Sequence, residues 1–380
     1  MGRYIRWQAI ITVTGIAMTL AFLGFLSFSR SSVTIVEENG TYTEGVAGLP
    51  QFINPLLAQY NPVDADLTAL IFNGLTQTDG QGGLLPDLAE DWSISDDGLV
   101  YLFKLREDVQ WQDGEPFTAD DVLFTLTLIQ SPDFPGVPQL HQLWRTITIE
   151  KLDNHRIQFI LPEALPTFTD FTTVGVLPEH LLSDVPADSL LRHPFNLAPV
   201  GTGPFRLEEV NSEIAQLTPN PLYFGDEPRL PELTLRFYET YQAVAAAYQR
   251  GEVQGISFIP PQDLETVREF EGLTIHTARQ SGYQIIYLNL QEPDQLPFFQ
   301  EAGIRQALLY GLNRQEIIAQ TLSGQGLVAA GPIYPWSWAY NSKQPQITFD
   351  LEKANQLLDD AGWLDTDDDG IRDREGQAFT

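Results

Sequence analysis

Residues 110–126, QWQDGEPFTADDVLFTL, join a strand-like segment to a helix-like segment. The residues just before them, VYLFKL at 100–105, place apolar side chains on alternate positions, at Tyr101, Phe103 and Leu105. Because residues two apart share one face of a strand, this alternation predicts a strand with one apolar face. Asp113 and Gly114 then predict a turn, since glycine tolerates a positive φ and aspartate bonds to nearby backbone.

The helix predicted after this turn begins at Thr118. Asp121 follows Thr118 by three residues, which is the spacing of a capping box. Asp120 and Asp121 would also face the positive end of the helix dipole. The acidic residues of this stretch therefore have structural roles as turn and cap, and we predict no catalytic role for Asp113, Asp120 or Asp121.

Short apolar strands alternate with helical stretches along the chain after residue 32, which predicts a mixed α/β fold. The predicted elements include strands at 156–161 and 285–290, and helices that begin near 178, at 303–324 with a break near Gly311, and after Asp350. The glycines of PVGTGPFRLEEV, 199–210, precede a strand, whereas a phosphate-binding loop precedes a helix. We predict a segment that crosses between domains at this place.

Composition excludes several classes of function. The chain has 380 residues, 43% of them hydrophobic, with a formal net charge of −30 and no cysteine. Nucleic acids and anionic lipids are bound by clusters of Lys and Arg, so neither partner is expected here. The absence of cysteine excludes disulfides, zinc–thiolate sites and cysteine nucleophiles.

The N-terminal segment 1–32 combines Arg3 and Arg6 with an apolar run from about Trp7 to Phe28. The run is long enough to span a bilayer as a helix, and the residues after it form a poor cleavage site. We predict an uncleaved membrane anchor in preference to a removed signal. The positive-inside rule would keep Arg3 and Arg6 in the cytoplasm and place the body of the protein outside.

Catalytic motifs are missing from the sequence. Neither HExxH nor GxSxG occurs, and each of the five histidines stands apart from partners in the sequence: His141, His155, His180, His193 and His276. We predict that the protein is not an enzyme and needs no cofactor. The alternatives are a membrane-anchored extracellular hydrolase with an unrecognised carboxylate pair, or a ligand sensor.

The segment DTDDDGIRDREG, 365–376, has part of the spacing of a calcium loop. Asp365, Asp367 and Asp369 occupy loop positions one, three and five, but Gly376 stands at position twelve, where a bidentate glutamate is required. A solvated Asp-rich turn is the preferred interpretation, with calcium as the alternative, and no metal site is predicted.

The sequence contains many short motifs that resemble, in content and in order, those of the family 5 extracellular solute-binding proteins of ABC transporters, the group that binds peptides, dipeptides and nickel. The motifs are INPLL at 53–57, LIFNGL at 70–75, LPDLAEDWSISDDGLVYLFKLREDVQWQDGEPFTADDVLFTL at 85–126, ILPEALPTF at 160–168, LPEHLL at 177–182, PVGTGPFRL at 199–207, NPLYFGDEPRLPEL at 220–233, RGEVQG at 250–255, IRQALLYGLNRQEII at 304–318 and DLEKANQLLDDAGW at 350–363.

The resemblance implies a two-lobed periplasmic-binding-protein fold, similar to type II, with an extra α/β domain inserted in the first lobe. Projected onto this chain, lobe I takes 33–58 and 197–278, the inserted domain takes 59–196, and lobe II begins at 279 and extends to 380. Members of the family continue well beyond the segment that matches 365–376. The resemblance therefore implies an incomplete lobe II and a chain that is a fragment or a split gene product.

The same resemblance implies ligand-binding residues and partners. Leu49, Pro50 and Gln51 would lie beside the ligand backbone, Tyr283 and Tyr287 would lie at the entry to lobe II, and Trp336 and Trp338 would line a side-chain pocket. The implied function is capture of a peptide-like solute in the cleft between the lobes and its delivery to an ABC permease. The protein is expected to be monomeric and extracytoplasmic, and to contact the membrane through its N-terminal helix.

Overall fold

The computed structural model describes residues 40–80, 83–278, 282–291, 297–337 and 339–379. The predicted N-terminal membrane segment lies outside these residues. Among the helices that are described, none combines the length and the apolar character needed to cross a bilayer.

The elements alternate along the chain as a mixed α/β protein. The strands are β1 (Tyr42–Ala47), β2 (Thr76–Thr78), β3 (Leu84–Pro86), β4 (Ala89–Ile94), β5 (Val100–Leu105), β6 (Thr148–Asp153), β7 (Arg156–Ile160), β8 (Phe205–Val210), β9 (Ile214–Pro219), β10 (Leu233–Tyr238), β11 (Gly255–Ile256), β12 (Asp373–Arg374) and β13 (Gln377–Ala378). The α-helices are α1 (Pro62–Ile71), α2 (Ala119–Gln130), α3 (Pro138–Trp144), α4 (Glu179–Leu182), α5 (Tyr241–Gln249), α6 (Leu264–Val267), α7 (Ala302–Gly311), α8 (Arg314–Leu322) and α9 (Leu351–Asp360).

A five-stranded sheet has the order β11-β1-β10-β9-β8. β1 pairs in parallel with both β10 and β11, and β8, β9 and β10 form an antiparallel meander. The register sets Tyr42 opposite Leu233 and Glu44 opposite Gly255. The first strand of the described residues therefore becomes an inner strand of a sheet whose other strands all follow residue 204.

A four-stranded antiparallel sheet, β4-β5-β7-β6, leads through β5 to the Asp-Gly turn and α2. The predicted strand at 100–105 and the predicted helix start are both confirmed. The Thr118 hydroxyl accepts the Asp120 N–H at 3.2 Å, and Asp121 Oδ2 accepts the Thr118 N–H at 2.9 Å. Asp121 Oδ1 also accepts the Glu179 N–H at 2.9 Å, so the cap ties α2 to α4.

The glycines of the PVGTG segment allow very close packing. A Cβ on Gly201 would lie 1.8 Å from the Ile71 carbonyl oxygen, and the Gly203 N–H donates to that same oxygen at 2.8 Å. Gln112 receives the Gly201 N–H on its side-chain oxygen and donates to Phe205 O at 2.8 Å. The segment thus packs against the end of α1 and leads into β8, and the prediction of glycines before a strand is confirmed.

Two hydrophobic cores occur in the described part of the chain. The large one includes residues from both sheets and from α1 and α2, with Phe103, Phe159, Trp144 and Phe168 in edge-to-face contacts. The small one consists of Phe298, Ile304 and Trp363. Residues after 297 therefore bury much less apolar surface than the residues before 270.

The C-terminal part differs from the sequence prediction at one element. The predicted helix over 303–324 is interrupted at Leu312 and Asn313, close to the break expected near Gly311. The strand predicted at 285–290 is wrong for this chain, because the segment pairs with no strand among the described residues and Ile286 is 72% exposed. An apolar run of this length predicts a strand only when neighbouring strands are present to pair with it.

Candidate functional site

The carboxyl ends of β1, β10 and β11 meet at one edge of the five-stranded sheet, because these strands run parallel. The Gly48 N–H donates to Tyr238 O at 2.9 Å, and the Ser257 N–H donates to Gly45 O at 3.1 Å. Loops 48–52 and 257–260 therefore leave the sheet side by side. In open α/β sheets, ligands bind in crevices at such carboxyl edges.

Asp64 fixes the shape of the first of these loops. Its carboxylate accepts the Gln51 N–H at 2.7 Å and the Phe52 N–H at 2.9 Å, and the side chain is fully buried. Burial raises the pKa of Asp64, while the two backbone N–H groups act against that rise. The Asn61 amide also donates to Leu49 O at 2.8 Å. Residues 49–52 are thus held in place by side chains at the start of α1.

Large apolar side chains surround this edge and are exposed to solvent. The predicted residue Leu49 is 49% exposed, and Tyr60 and Phe258 are 69% and 67% exposed. Sequence reasoning identified Leu49, Pro50 and Gln51 and missed Phe258. The position of Phe258 at the edge follows from the pairing of the two-residue strand β11 with β1, which no local pattern indicates.

An aromatic cluster lies on the C-terminal part of the chain. Tyr334 and Trp336 stack in parallel with ring centroids 5.0 Å apart, and Tyr283 contacts Tyr334 at 6.0 Å. The structure thus brings together Tyr283 and Trp336, while Tyr287 is 83% exposed and Trp338 lies outside the described residues. Sequence reasoning missed Tyr334, although it belongs to the same run, YPWSWAY.

The two groups of residues belong to neighbouring parts of the molecule. Helix α8 lies against the 261–263 turn, which follows directly on the loop that carries Phe258. The chain between them continues from 264–278 to the segment that carries Tyr283. Helix α8 is therefore adjacent to the loop that carries Phe258.

A cavity of about 530 Å³ lies elsewhere, between the β2–β3 hairpin and the 223–228 loop. Two of its lining residues, Asp87 and Arg106, belong to a polar network. The Asn73 amide donates to both oxygens of Asp87 at 3.0 and 3.1 Å, the Thr202 hydroxyl donates to Asn73 at 3.0 Å, and Arg106 Nε donates to Asp87 O at 2.8 Å. This network joins residues that flank β4 and β5 to the 199–204 segment before β8.

Burial raises the pKa of Asp87 to about 6, against the opposing effects of the Asn73 amide and Arg106. A raised pKa means that the folded protein favours the protonated carboxyl. The contribution of Asp87 to the free energy of unfolding is therefore greatest below about pH 4, and it falls as pH rises toward about 6. Between about pH 4.5 and pH 7, we expect the wild-type free energy of unfolding to fall by about 2 kcal/mol more than that of Asp87→Asn.

Urea unfolding of both proteins at several pH values measures this difference. Asp133→Asn is a matched control, because Asp133 is an exposed carboxylate in the loop between α2 and α3. Parallel pH profiles for the wild type and Asp87→Asn would contradict the raised pKa.

One histidine is not isolated as the sequence suggested. His180 Nε2 lies 2.8 Å from Asp113 Oδ2, so Asp113 pairs α4 with the 111–115 turn in addition to shaping that turn. The separation of 67 residues explains why no motif showed the pair. His141 Nδ1 lies 2.8 Å from Ile129 O, and His193 accepts the Phe195 N–H, so both have local structural partners.

The Asp-rich segment forms a turn with clustered carboxylates. Oxygens of Asp365, Asp367 and Asp369 lie within 4.8 Å of one another, and all three side chains are exposed. Asp365 accepts the Gly370 N–H at 3.0 Å, and Asp369 accepts the Ile371 N–H at 2.7 Å. These bonds are those of a self-supporting Asx-type turn, which a solvated loop can form without an ion.

Comparison with known proteins identifies the family. Residues 83–380 match the family model described as bacterial extracellular solute-binding proteins, family 5 middle. The oligopeptide-binding protein AppA of Bacillus subtilis is 31% identical over 392 residues, covering 99% of this chain and 70% of the relative. The dipeptide-binding protein of Escherichia coli is 28% identical, covering 83% of this chain and 62% of the relative.

Solved structures of similar fold agree with this assignment. AppA of Bacillus subtilis in complex with a nonapeptide has a TM-score of 0.65 at 30% identity, covering 90% of this chain and 68% of that structure. NikZ of Campylobacter jejuni in complex with Ni(L-His) has a TM-score of 0.70 at 28% identity, covering 90% and 67%. The chain spans about two thirds of the length of these proteins, and it belongs to the bacterial extracellular solute-binding proteins of family 5.

Proposed function

We propose that this chain is the solute-binding component of an ABC transporter and that it captures peptides at the carboxyl edge of the five-stranded sheet. The observation that carries the proposal is the pair of loops that leave β1 and β11 side by side, one of them held rigidly by Asp64. The relatives named as oligopeptide- and dipeptide-binding proteins support peptides as the solute.

The proposed division of the chain follows the two sheets. Lobe I takes 33–58 and 197–278, the inserted domain takes 59–196, and lobe II takes 279–380. In support, every strand of the five-stranded sheet falls within the ranges given to lobe I, and every strand of the four-stranded sheet falls within the inserted domain. The cleft would lie between the sheet edge and the aromatic cluster of Tyr283, Tyr334 and Trp336.

An extended peptide would pair its main chain with residues 49–51, as strand-like ligands commonly do. The peptide's side chains would then contact Leu49 and Phe258 on lobe I and the aromatic cluster on lobe II. A solute that touches both lobes binds the closed state more tightly than the open state, and this difference in affinity drives closure.

Closure would present the loaded protein to the membrane permease of the transporter. We place the protein outside the cytoplasm, as a monomer tethered by residues 1–32, and assign it no catalytic role. The engagement of Asp113 with His180 and of Asp121 with the cap of α2 supports this assignment, since each of these groups already has a structural partner.

Native mass spectrometry of the full chain, purified gently in mild detergent, tests the proposal. We expect added masses that correspond to short peptides, and their release when the protein is partly unfolded and refolded. A protein that carries no peptide and binds none from a mixed peptide library would contradict the proposal.

Trp336→Ala tests the aromatic cluster. Removing the indole deletes one of two stacked rings, and we expect peptide affinity to fall about tenfold, since a buried aromatic contact contributes about 1–2 kcal/mol. Phe171→Ala is the control, because Phe171 is an exposed aromatic residue in the inserted domain. Isothermal titration with one peptide compares the three proteins, and equal affinities would contradict a role for Trp336.

A further inference from the structure

Charged residues are absent from the four segments that surround the proposed site. These segments are 45–63, 253–262, 282–291 and 317–342, and none contains Asp, Glu, Lys or Arg, or a histidine. At the average of 19% charged residues, segments of this combined length would carry about a dozen charged side chains. Their absence contrasts with a chain whose net charge is −30.

The four segments are connected in space. Segment 45–63 contains the second half of β1 and the loop that follows it. It lies beside 253–262 through the bond from the Ser257 N–H to Gly45 O. The 261–263 turn lies against α8, whose residues from 317 begin the longest of the four segments. Tyr283 contacts Tyr334, which links the remaining segment to the same surface.

Charged residues border these segments, among them Glu44, Glu252, Asp263, Glu316 and Lys343. Two further charges, Asp64 and Arg314, are engaged by backbone groups. Asp64, at the end of the first segment, is fully buried and accepts two backbone N–H groups. Arg314, three residues before the longest segment, donates to Ala329 O and Ile347 O. Neither group is free to serve as the counter-ion of a bound side chain.

A surface without charged side chains discriminates by charge. When the lobes close, a charged side chain of the solute loses water and gains no partner, and that desolvation is costly. An apolar or aromatic side chain loses nothing on leaving water and packs against exposed Leu49, Tyr60 and Phe258. The net negative charge of the protein would by itself attract peptides with basic side chains. An uncharged site is instead expected to reject basic side chains, so the two effects predict different preferences.

We infer that the site selects peptides with apolar and aromatic side chains and rejects both acidic and basic ones. The inference rests on the proposed function and adds the chemical class of the solute. It assigns the selectivity to the uncharged surface formed by the four segments, to which Phe258 contributes an exposed ring at the sheet edge.

The test uses the full chain in mild detergent and alanine pentapeptides that carry one guest residue, phenylalanine, lysine or glutamate, at each position in turn. We expect at least one position where the phenylalanine peptide binds about tenfold or more tightly than both charged peptides. Tightest binding of lysine peptides at every position would show that the overall field governs, and would overturn the inference. So would equal affinities for all guests.

The failures of the two proposals are distinguishable. Binding without discrimination overturns the selectivity and leaves peptide capture intact. Binding of no peptide at all defeats the proposed function, and the inference fails with it.

Phe258→Arg gives a second and independent test. A cation at the sheet edge would supply the missing counter-ion, so we expect affinity for the best glutamate peptide to rise about tenfold and affinity for the matching lysine peptide to fall. Phe171→Arg changes the net charge equally at an exposed aromatic residue of the inserted domain and should alter neither affinity. If Phe258→Arg and Phe171→Arg changed the two peptide affinities equally, the assignment of the selectivity to this surface would be overturned.

Discussion

Gly201→Ala is expected to lower the free energy of unfolding by about 3 kcal/mol. The added methyl group would lie 1.8 Å from the carbonyl oxygen of Ile71, an atom of the backbone at the end of α1. That oxygen cannot swing aside as a side chain could, because it also accepts the Gly203 N–H. Either the 199–203 segment or the end of α1 must therefore move.

Gly303→Ala is the matched control for this experiment. Gly303 lies in α7, where an added Cβ would have no atom within 4 Å, and its φ is not positive. Alanine there should be neutral or stabilise by up to about 1 kcal/mol through its helix propensity. Chemical denaturation followed by circular dichroism measures both variants, and equal stabilities for the two would contradict the close packing at Gly201.

Asp64→Ala is expected to lower stability by about 3 kcal/mol and to weaken peptide binding by about tenfold or more. The substitution leaves the N–H groups of Gln51 and Phe52 without their acceptor and creates a small void in the core. The loop that lines the sheet edge would then sample several conformations. A peptide that binds this loop must restrict it to one conformation again, and the entropic cost of doing so lowers the affinity.

Asp66→Ala separates this effect from a general loss of negative charge on α1. Asp66 is exposed and lies two residues further along the same helix. We expect near-wild-type binding for Asp66→Ala by isothermal titration. Wild-type affinity in a folded Asp64→Ala protein would show that the loop does not need its anchor.

The strand, turn and helix over 100–130 could be predicted because their signals are local. Alternation at Tyr101 and Phe103, the Asp-Gly turn and the Thr118–Asp121 cap all act within a few residues. The Asp113–His180 pair and the order of the five-stranded sheet could not, because they join residues far apart in the sequence. The predicted strand at 285–290 failed for the same reason, since its apolar pattern does not include the partners that a strand needs.

The candidate site was predictable only through the family resemblance. Nothing in the segment GLPQF distinguishes a ligand-binding loop from an ordinary one until β1 and β11 are known to run side by side. Phe258 and Tyr334 become candidates only in three dimensions. The four uncharged segments, by contrast, can be read directly from the sequence. Only the structure shows that they are neighbours, and this contact is what relates them to the site.

The pairing of Tyr42 with Leu233 has a consequence for how the protein forms. β1 leaves the ribosome long before β10 and β11 are synthesised. It therefore has no parallel strand to pair with while roughly 190 further residues are added. The four-stranded sheet and α2 are complete by then and can fold as an earlier unit. Closing so long a loop is slow, and the insertion of β1 between its two parallel neighbours should therefore be the last step in forming the five-stranded sheet, a point at which a chaperone would have the most effect.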